Sequence, residues 1–262
     1  MTALSPPPQQ SASLPAATQS PGPAEHALLS GPHSRLRELW LLLGAVGDFL
    51  RGFRALHFVG PCVTVFGSAR FGPEHPYYQL TRTVGQRLSA MGFTVMTGGG
   101  PGLMAAANRG AKDAHGASVA CNIRLPVEQQ PNPYLDRWIT CEHLFVRKVL
   151  LFKYSYAFVA MPGGMGTVDE LFEALTLIQT HKIAPFPVVL IGTSYWQPLR
   201  RFLNEMIAAG AIEANDMRLM LITDDLDEMA RYLEHAAVQR FRLRAGARPK
   251  ARRWLGERPV TA

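Results

Sequence analysis

The stretch Ala157-Phe158-Val159-Ala160-Met161-Pro162-Gly163-Gly164-Met165-Gly166-Thr167-Val168-Asp169-Glu170 decides the fold. Residues 157–161 form a short, strongly apolar run of strand length. A glycine turn follows, and residues 168–180 take up a helical period. A strand that leaves through glycines into a helix is one unit of a parallel sheet. The start of that helix exposes N–H groups and the positive end of its macrodipole, which favour an anion such as phosphate. The spacing Thr167-x-x-Glu170 has a second meaning, because it also spells a capping box in which Glu170 satisfies only a backbone donor.

The same unit recurs on both sides of this stretch. Short apolar runs stand at 63–66, 93–96, 118–121 and 187–191, with helical stretches at 77–91, 102–114, 142–154 and 196–209. A last pair, 219–222 and 226–236, closes the body. Strands alternating with helices predict an α/β fold, a doubly wound parallel sheet with helices on both faces. Such a sheet binds its ligand at the C-terminal strand ends, where the strand order reverses. No repeat of solenoid period is present. Residues 122–139 break the rhythm, with Pro126, Pro131 and Pro133 and no helical period. A long connection after a strand is either a cover for a binding site or a surface excursion.

Two further glycine turns follow two further strands. Gly67-Ser68 leaves the first strand; it is either a plain turn or a place where backbone and hydroxyl meet a ligand. Thr97-Gly98-Gly99-Gly100-Pro101-Gly102-Leu103-Met104 leaves the second and opens a helix. Gly98, Gly99 and Gly100 are suited to the positive φ values that aim N–H groups inward, and Pro101 suits a first helical turn. This resembles a phosphate cradle, but it is not the Gly-x-Gly-x-x-Gly fingerprint, and no Gly-Lys-Ser/Thr follows. NAD and ATP are disfavoured on that ground. Arg147-Lys148 lies on the helix before the strand at 157–161. Adjacent helical residues diverge by about 100°, so only one of the pair need face a pocket.

Outside this body the composition changes. Residues 1–33 are rich in Pro, Ala, Ser and Gln and predict a disordered leader. Residues 34–58 predict an amphipathic helix, with Leu39, Leu42, Leu43, Val46, Phe49, Leu50, Phe53 and Leu56 at helical spacing, packed on the body or on a partner subunit. Its apolar run is too short to span a membrane, being bracketed by Glu38 and Asp48, and too far from Met1 for a signal peptide. The nucleotide-binding body is expected to cover 59–237.

The basic tail at 238–262 holds eight basic residues against Glu257 alone and accounts for the whole net charge of +7. The body therefore has no electrostatic case for binding nucleic acid, while the tail is either a solvated, disordered end or an arm for an anionic partner. The three cysteines, Cys62, Cys121 and Cys141, have no Cys-x-x-Cys spacing. So sparse a count suits a reducing compartment and a cytoplasmic protein.

Taken together, Gly-Gly-Gly-Pro-Gly-Leu-Met at 98–104, Arg147-Lys148, and Pro-Gly-Gly-x-Gly-Thr-x-x-Glu at 162–170 resemble the LOG ("Lonely Guy") family. Many members carry an older label of possible lysine decarboxylase. The resemblance spans about residues 60–235 and implies a Rossmann-like fold, a homodimer, and phosphoribohydrolase activity with no metal or organic cofactor. The implied substrates are nucleoside 5′-monophosphates, AMP or cytokinin ribotides, cleaved to free base and ribose 5-phosphate. Carried over residue by residue, Arg147 and Glu170 match the catalytic pair. Gly164, Met165, Gly166 and Thr167 match the phosphate loop, with Gly163 at its entrance. Lys148 and Thr176 fall at ligand-contacting positions, and Glu128 corresponds to a substrate-contacting acid. Gly67, Ser68, Met104 and the 98–100 glycines would wall the pocket. Leu144 replaces a methionine usual three residues before the arginine.

The implied chemistry is physically coherent. Breaking an N-glycosidic bond builds oxocarbenium character on the ribose, which a carboxylate stabilises while it orients hydroxyls and water. Arg147 would serve either the departing base or the phosphate. A pyridoxal decarboxylase would need a Schiff-base lysine, and none of Lys112, Lys148, Lys153, Lys182 or Lys250 sits in a cofactor motif. Two other readings remain. One is a non-catalytic carrier of a phosphorylated ligand such as molybdenum cofactor, which shares the fold. The other is a general nucleotide monophosphate nucleosidase of salvage.

Overall fold

A computed structural model describes residues 31, 34–125 and 130–241, with side chains as far as 236. The rest of the leader read at 1–33, the loop residue Glu128, and the tail beyond 241 lie outside the described residues. In chain order the elements are α1 (Arg35–Leu56), β1 (Cys62–Phe66), α2 (Pro76–Ala90), β2 (Thr94–Thr97), α3 (Leu103–Asp113), β3 (Ser118–Ile123) and β4 (Arg137–Cys141). They continue with α4 (Leu144–Tyr154), β5 (Ser155–Ala160), α5 (Met165–Gln179), β6 (Val188–Ile191) and α6 (Thr193–Ala208). A 3-10 turn (Ala214–Leu219), β7 (Leu221–Thr223) and α7 (Leu226–Phe241) complete the body.

The seven strands form one sheet in the order β4-β3-β2-β1-β5-β6-β7, and every pairing is parallel. The chain first builds outward from β1 to β4, then returns to the other side of β1 with β5. The order therefore reverses between β1 and β5, the position at which an open α/β sheet opens a crevice. Val63 pairs with Ala157 and Phe66 with Ala160 across that junction.

Alternation along the strands separates two cores. Cys62, Phe66, Met96, Val119, Cys121, Phe158, Ala160, Val188 and Leu190 face one way and pack with α1, α4, α5 and α6 through Leu56, Leu150, Leu171 and Leu203. Val63, Val65, Val95, Ala157, Val159, Val189 and Ile191 face the other way and pack with α2, α3 and α7 through Leu88, Leu103, Ala106 and Met229. Helices thus cover both faces, and central strands such as β1 and β2 are buried along their whole length. The doubly wound, Rossmann-like expectation holds.

Three expectations need correction. The segment 122–139 is not one long excursion: Arg137–Cys141 is a seventh strand, paired with β3 from Val119↔Arg137 to Ile123↔Cys141. It is a half-exposed edge strand, and its neighbouring prolines masked its short alternating pattern. The last helix continues to Phe241, past the boundary read at 237. The third concerns α1: of the two surfaces expected to receive its apolar stripe, the body and a partner subunit, the body does not, because the stripe is largely the outward face. Leu39, Leu42, Leu43, Val46, Leu50 and Phe53 are exposed, whereas Ala45, Asp48, Gly52 and Leu56 are buried against the body. Small residues let α1 approach closely; a Cβ on Gly52 would stand 2.3 Å from Leu150 Cδ1.

Candidate active site

Because all strands run in parallel, the three glycine turns emerge at one edge of the sheet, and they interlock there. Met161 N–H donates to Phe66 O (2.8 Å), Ser68 N–H to Pro162 O (3.0 Å) and Leu103 N–H to Ser68 O (2.9 Å). The turn after β1 is thus tied to those after β5 and β2. Clearance demands glycine at the contacts. A Cβ on Gly67 would lie 2.9 Å from Leu103 Cβ, and one on Gly163 would lie 2.2 Å from Thr167 Oγ1.

The turn after β2 differs in detail from its sequence reading. Of Gly98, Gly99 and Gly100 only Gly99 takes a positive φ, +78°. Gly102, at φ +67°, is the second residue with that need, and its missing Cβ also makes room for Ser68 O at 2.4 Å. Gly102 is the N-cap of α3, so Pro101 precedes the helix rather than entering its first turn. Gly98 faces Met104 Sδ and Arg147 Nη2, 2.9 and 3.1 Å from where its Cβ would stand. Met104 and Arg147 therefore both lie over this glycine.

Helix α5 begins at Met165 with Gly164 as its N-cap, which places Thr167 inside the first turn. The capping-box reading of Thr167 and Glu170 fails here. No side chain caps α5, and the Glu170 carboxylate bonds to no backbone group. Glu170 is 1 % exposed, and neither of its oxygens has a hydrogen-bond partner among the described residues. Loss of water around a carboxylate is costly, and burial raises the Glu170 carboxyl above its ordinary 4.5, opposed by the charges of Arg147 and Lys148. Around the loop, Cβ atoms on Gly164 or Gly166 would meet nothing within 4 Å, and Met165 is largely exposed.

Both members of the basic pair reach this carboxylate, where helical divergence required only one. Arg147 Nη1 stands 3.7 Å from Glu170 Oε1, and Lys148 Nζ stands 3.9 Å from Oε2. Their long side chains converge although their Cα positions diverge. Arg147 is steadied by donating its Nε–H to Cys121 O (3.2 Å). Lys148 is held by Asp169 (2.7 Å) and Glu173 (2.6 Å), so its charge is shared among three acids. Thr176, expected as a ligand contact, stands further along α5. It is exposed and lines a small groove with Phe172, Leu175, Leu203 and Met206, apart from the three turns.

Two residues that support the site were not read from the sequence. Asn132 is buried, and its side chain donates to Gly99 O and Gly100 O (both 3.2 Å) and to Asn108 Oδ1 (3.0 Å). Its setting between Pro131 and Pro133 was the available signal of a fixed turn. Tyr195, on α6, donates its hydroxyl to Gly163 O (2.7 Å) and so holds the glycine turn that leads into α5. No local pattern marks Tyr195. Among the described residues, no group of three His, Cys, Asp or Glu side chains is gathered to hold a metal ion.

With the geometry in place, comparison with known proteins is informative. A family model described as "Possible lysine decarboxylase" matches residues 104–233. The cytokinin riboside 5′-monophosphate phosphoribohydrolase of Mycobacterium marinum is 29 % identical over 159 residues, covering 60 % of this chain and 85 % of that one. The pyrimidine/purine nucleotide 5′-monophosphate nucleosidase of Escherichia coli K12 is 26 % identical over 221 residues, covering 80 % of this chain and 48 % of that one. Among solved structures, the Moco carrier protein from Chlamydomonas reinhardtii superimposes with a TM-score of 0.52 at 21 % identity, over 69 % of this chain and 99 % of that one, a likeness of fold alone. The matched residues include the Arg147–Glu170 pair and the glycine turn after β5, and the chain is similar to the possible lysine decarboxylases, the LOG family.

Proposed function

We propose that the chain is a phosphoribohydrolase that cleaves the N-glycosidic bond of a nucleoside 5′-monophosphate, AMP or a cytokinin ribotide. One observation carries the assignment of chemistry to residues. Glu170 is a buried carboxylate without hydrogen bonds, aimed at two cations beside the sheet's reversal point. A structural carboxylate would be satisfied by its surroundings. One left unsatisfied is available to hydroxyls and water brought by a substrate.

In this reading the 5′-phosphate sits in the loop Gly164 to Thr167, on the N–H groups of Gly164, Met165 and Gly166 (that of Thr167 donates to Gly164 O, 3.0 Å), with Gly163 and the Gly98–Gly100 turn as walls. The ribose lies over Glu170. As the C1′–N bond lengthens, positive charge develops on the ring, and the carboxylate stabilises it and holds the attacking water. Water adds its oxygen to C1′, and the base departs with the bond's electron pair and takes up a proton. Arg147 is 3.7 Å from the carboxylate rather than on the loop, which favours the departing base over the phosphate as its partner. Lys148 keeps the acid cluster close to neutral. Glu128 is assigned to the substrate's far side, and Thr176 to a contact from outside the crevice.

Incubation with AMP and with isopentenyladenosine monophosphate tests the reading: each should release base and ribose 5-phosphate. Arg147→Ala and Glu170→Gln should abolish release, and unchanged rates in both variants would defeat the site assignment. Relatives of both substrate breadths match the chain, so kcat/KM across AMP, GMP, CMP and prenylated AMP identifies the preferred base. Copurified pterin with no base release would instead support the carrier.

The proposal includes a homodimer in the cytoplasm. The exposed apolar residues Leu39, Trp40, Leu43 and Leu50 of α1, with Phe145 and Val149 of the adjoining α4, support a second copy as the covering partner. The sparse cysteines support the compartment. Among the described residues, no helix is long and apolar enough to cross a membrane.

A further inference from the structure

Helix α1 lies outside the residues matched by the family, yet it is joined to the helix that carries Arg147. The joint is Asp48, fully buried at the middle of α1. Its Oδ2 accepts from Glu142 N–H (2.9 Å), His143 N–H (3.1 Å) and His143 Nδ1 (2.8 Å), and its Oδ1 accepts from Arg51. His143 is the N-cap residue of α4 and makes no side-chain cap of its own. Asp48 therefore caps α4 from another helix, placing a negative charge where the helix dipole favours one.

One turn later, Arg147 N–H donates to His143 O (3.2 Å), so the capped turn leads directly to the arginine. Gly44 leaves His143 Cε1 only 3.2 Å from where a Cβ would stand, and Gly52 makes room for Leu150. Both helices are thus held in one alignment by close contact on each side of the carboxylate.

We propose that Asp48 is a positioning residue of the reaction: by fixing the first turn of α4, it sets the guanidinium of Arg147 against Glu170. The inference rests on the hydrolase reading above. It gives α1 a part in turnover, separate from covering the sheet. A small displacement of a group that acts in the transition state lowers kcat while leaving ground-state binding nearly intact.

The test uses the full chain with AMP as substrate. Asp48→Ala should lower kcat by about tenfold or more, with KM for AMP within about threefold of wild type. Asp48→Asn, which keeps an acceptor oxygen for the two backbone N–H groups, should recover part of that loss and stay about threefold below wild type in kcat. His143→Ala keeps those backbone bonds and should resemble Asp48→Asn. A wild-type kcat in folded Asp48→Ala would overturn the proposal, as would a loss that merely follows the folded fraction seen by circular dichroism. Should Asp48→Ala not fold, wild-type kcat in both remaining variants would overturn it. Failure of all three to fold would assign Asp48 to folding alone and would overturn it too. A wild-type chain that releases no base would instead defeat the hydrolase reading itself.

Discussion

Arg147 Nη1 and Glu170 Oε1 stand 3.7 Å apart, near enough for mutual charge stabilisation yet beyond hydrogen-bond reach. The two side chains come from different helices, and Arg147 also lies beside the glycine turn at Gly98. That spacing leaves neither group consumed by the other.

The buried carboxylate should cost the folded protein stability. Its pKa is raised, so the penalty is absent below the ordinary value of 4.5 and is complete once the pH exceeds the folded-state value. Glu170→Gln should therefore raise Tm near neutral pH by roughly 2–4 °C, for a gain of about 1 kcal/mol, while turnover is lost. The gain should vanish toward pH 4. Thermal melts of both proteins at pH 4 and pH 7 check this; equal Tm values at pH 7 would contradict it.

The same shift sets the acid limb of activity. If the ionised carboxylate stabilises the ribosyl cation, kcat/KM should rise with pH through a pKa above 4.5, that of the free enzyme's Glu170. A pH–rate profile with AMP measures it, and an acid limb centred at or below 4.5 would count against Glu170.

Two glycines of the turn after β5 should separate packing from binding. Gly163→Ala drives a methyl to 2.2 Å from Thr167 Oγ1 and 2.7 Å from Thr167 Cβ, atoms of a buried residue with little room to move. It should destabilise by about 1–3 kcal/mol. Gly166→Ala meets nothing within 4 Å and lies in the first turn of α5, so its Tm should be unchanged or higher. Its effect should fall on KM for AMP, because the added methyl would stand beside the N–H groups to which the proposed reaction assigns the phosphate. Melts and steady-state kinetics on both variants decide the matter.

Tyr195→Phe removes the hydroxyl that donates to Gly163 O. The expected loss is about 1 kcal/mol in nucleotide binding. It should appear as a severalfold rise in KM and an equal weakening of inhibition by ribose 5-phosphate. A change confined to kcat would show that the hydroxyl does not hold the loop.

Asn132→Ala should act through the turn after β2. It removes donors to Gly99 O, Gly100 O and Asn108 Oδ1 inside a buried cluster, with an expected cost of about 2–3 kcal/mol. Denaturant unfolding measures the cost.

What the sequence determined by itself is local. The parallel sheet was legible because strand–turn–helix units repeat, each written in contiguous residues such as 157–170. The glycine turns were legible because glycine at Gly163 and Gly99 answers to steric rules that act within a few bonds or across one strand pair. Through-space relations were left to the tertiary structure. Periodicity marked a stripe on α1 but not which way it faced; the buried face follows Gly52 and Asp48, which fit Leu150 and His143. Spacing allowed Glu170 to be a cap or a free acid, and only the start of α5 at Met165 decided for the acid. Arg147 and Lys148 point apart at the level of helical angles, yet they converge on that acid because long side chains bend toward a buried opposite charge. The physical reason is common to all three: backbone conformation is governed by neighbours along the chain, whereas a side chain's partners are chosen by packing and charge among segments far apart in sequence.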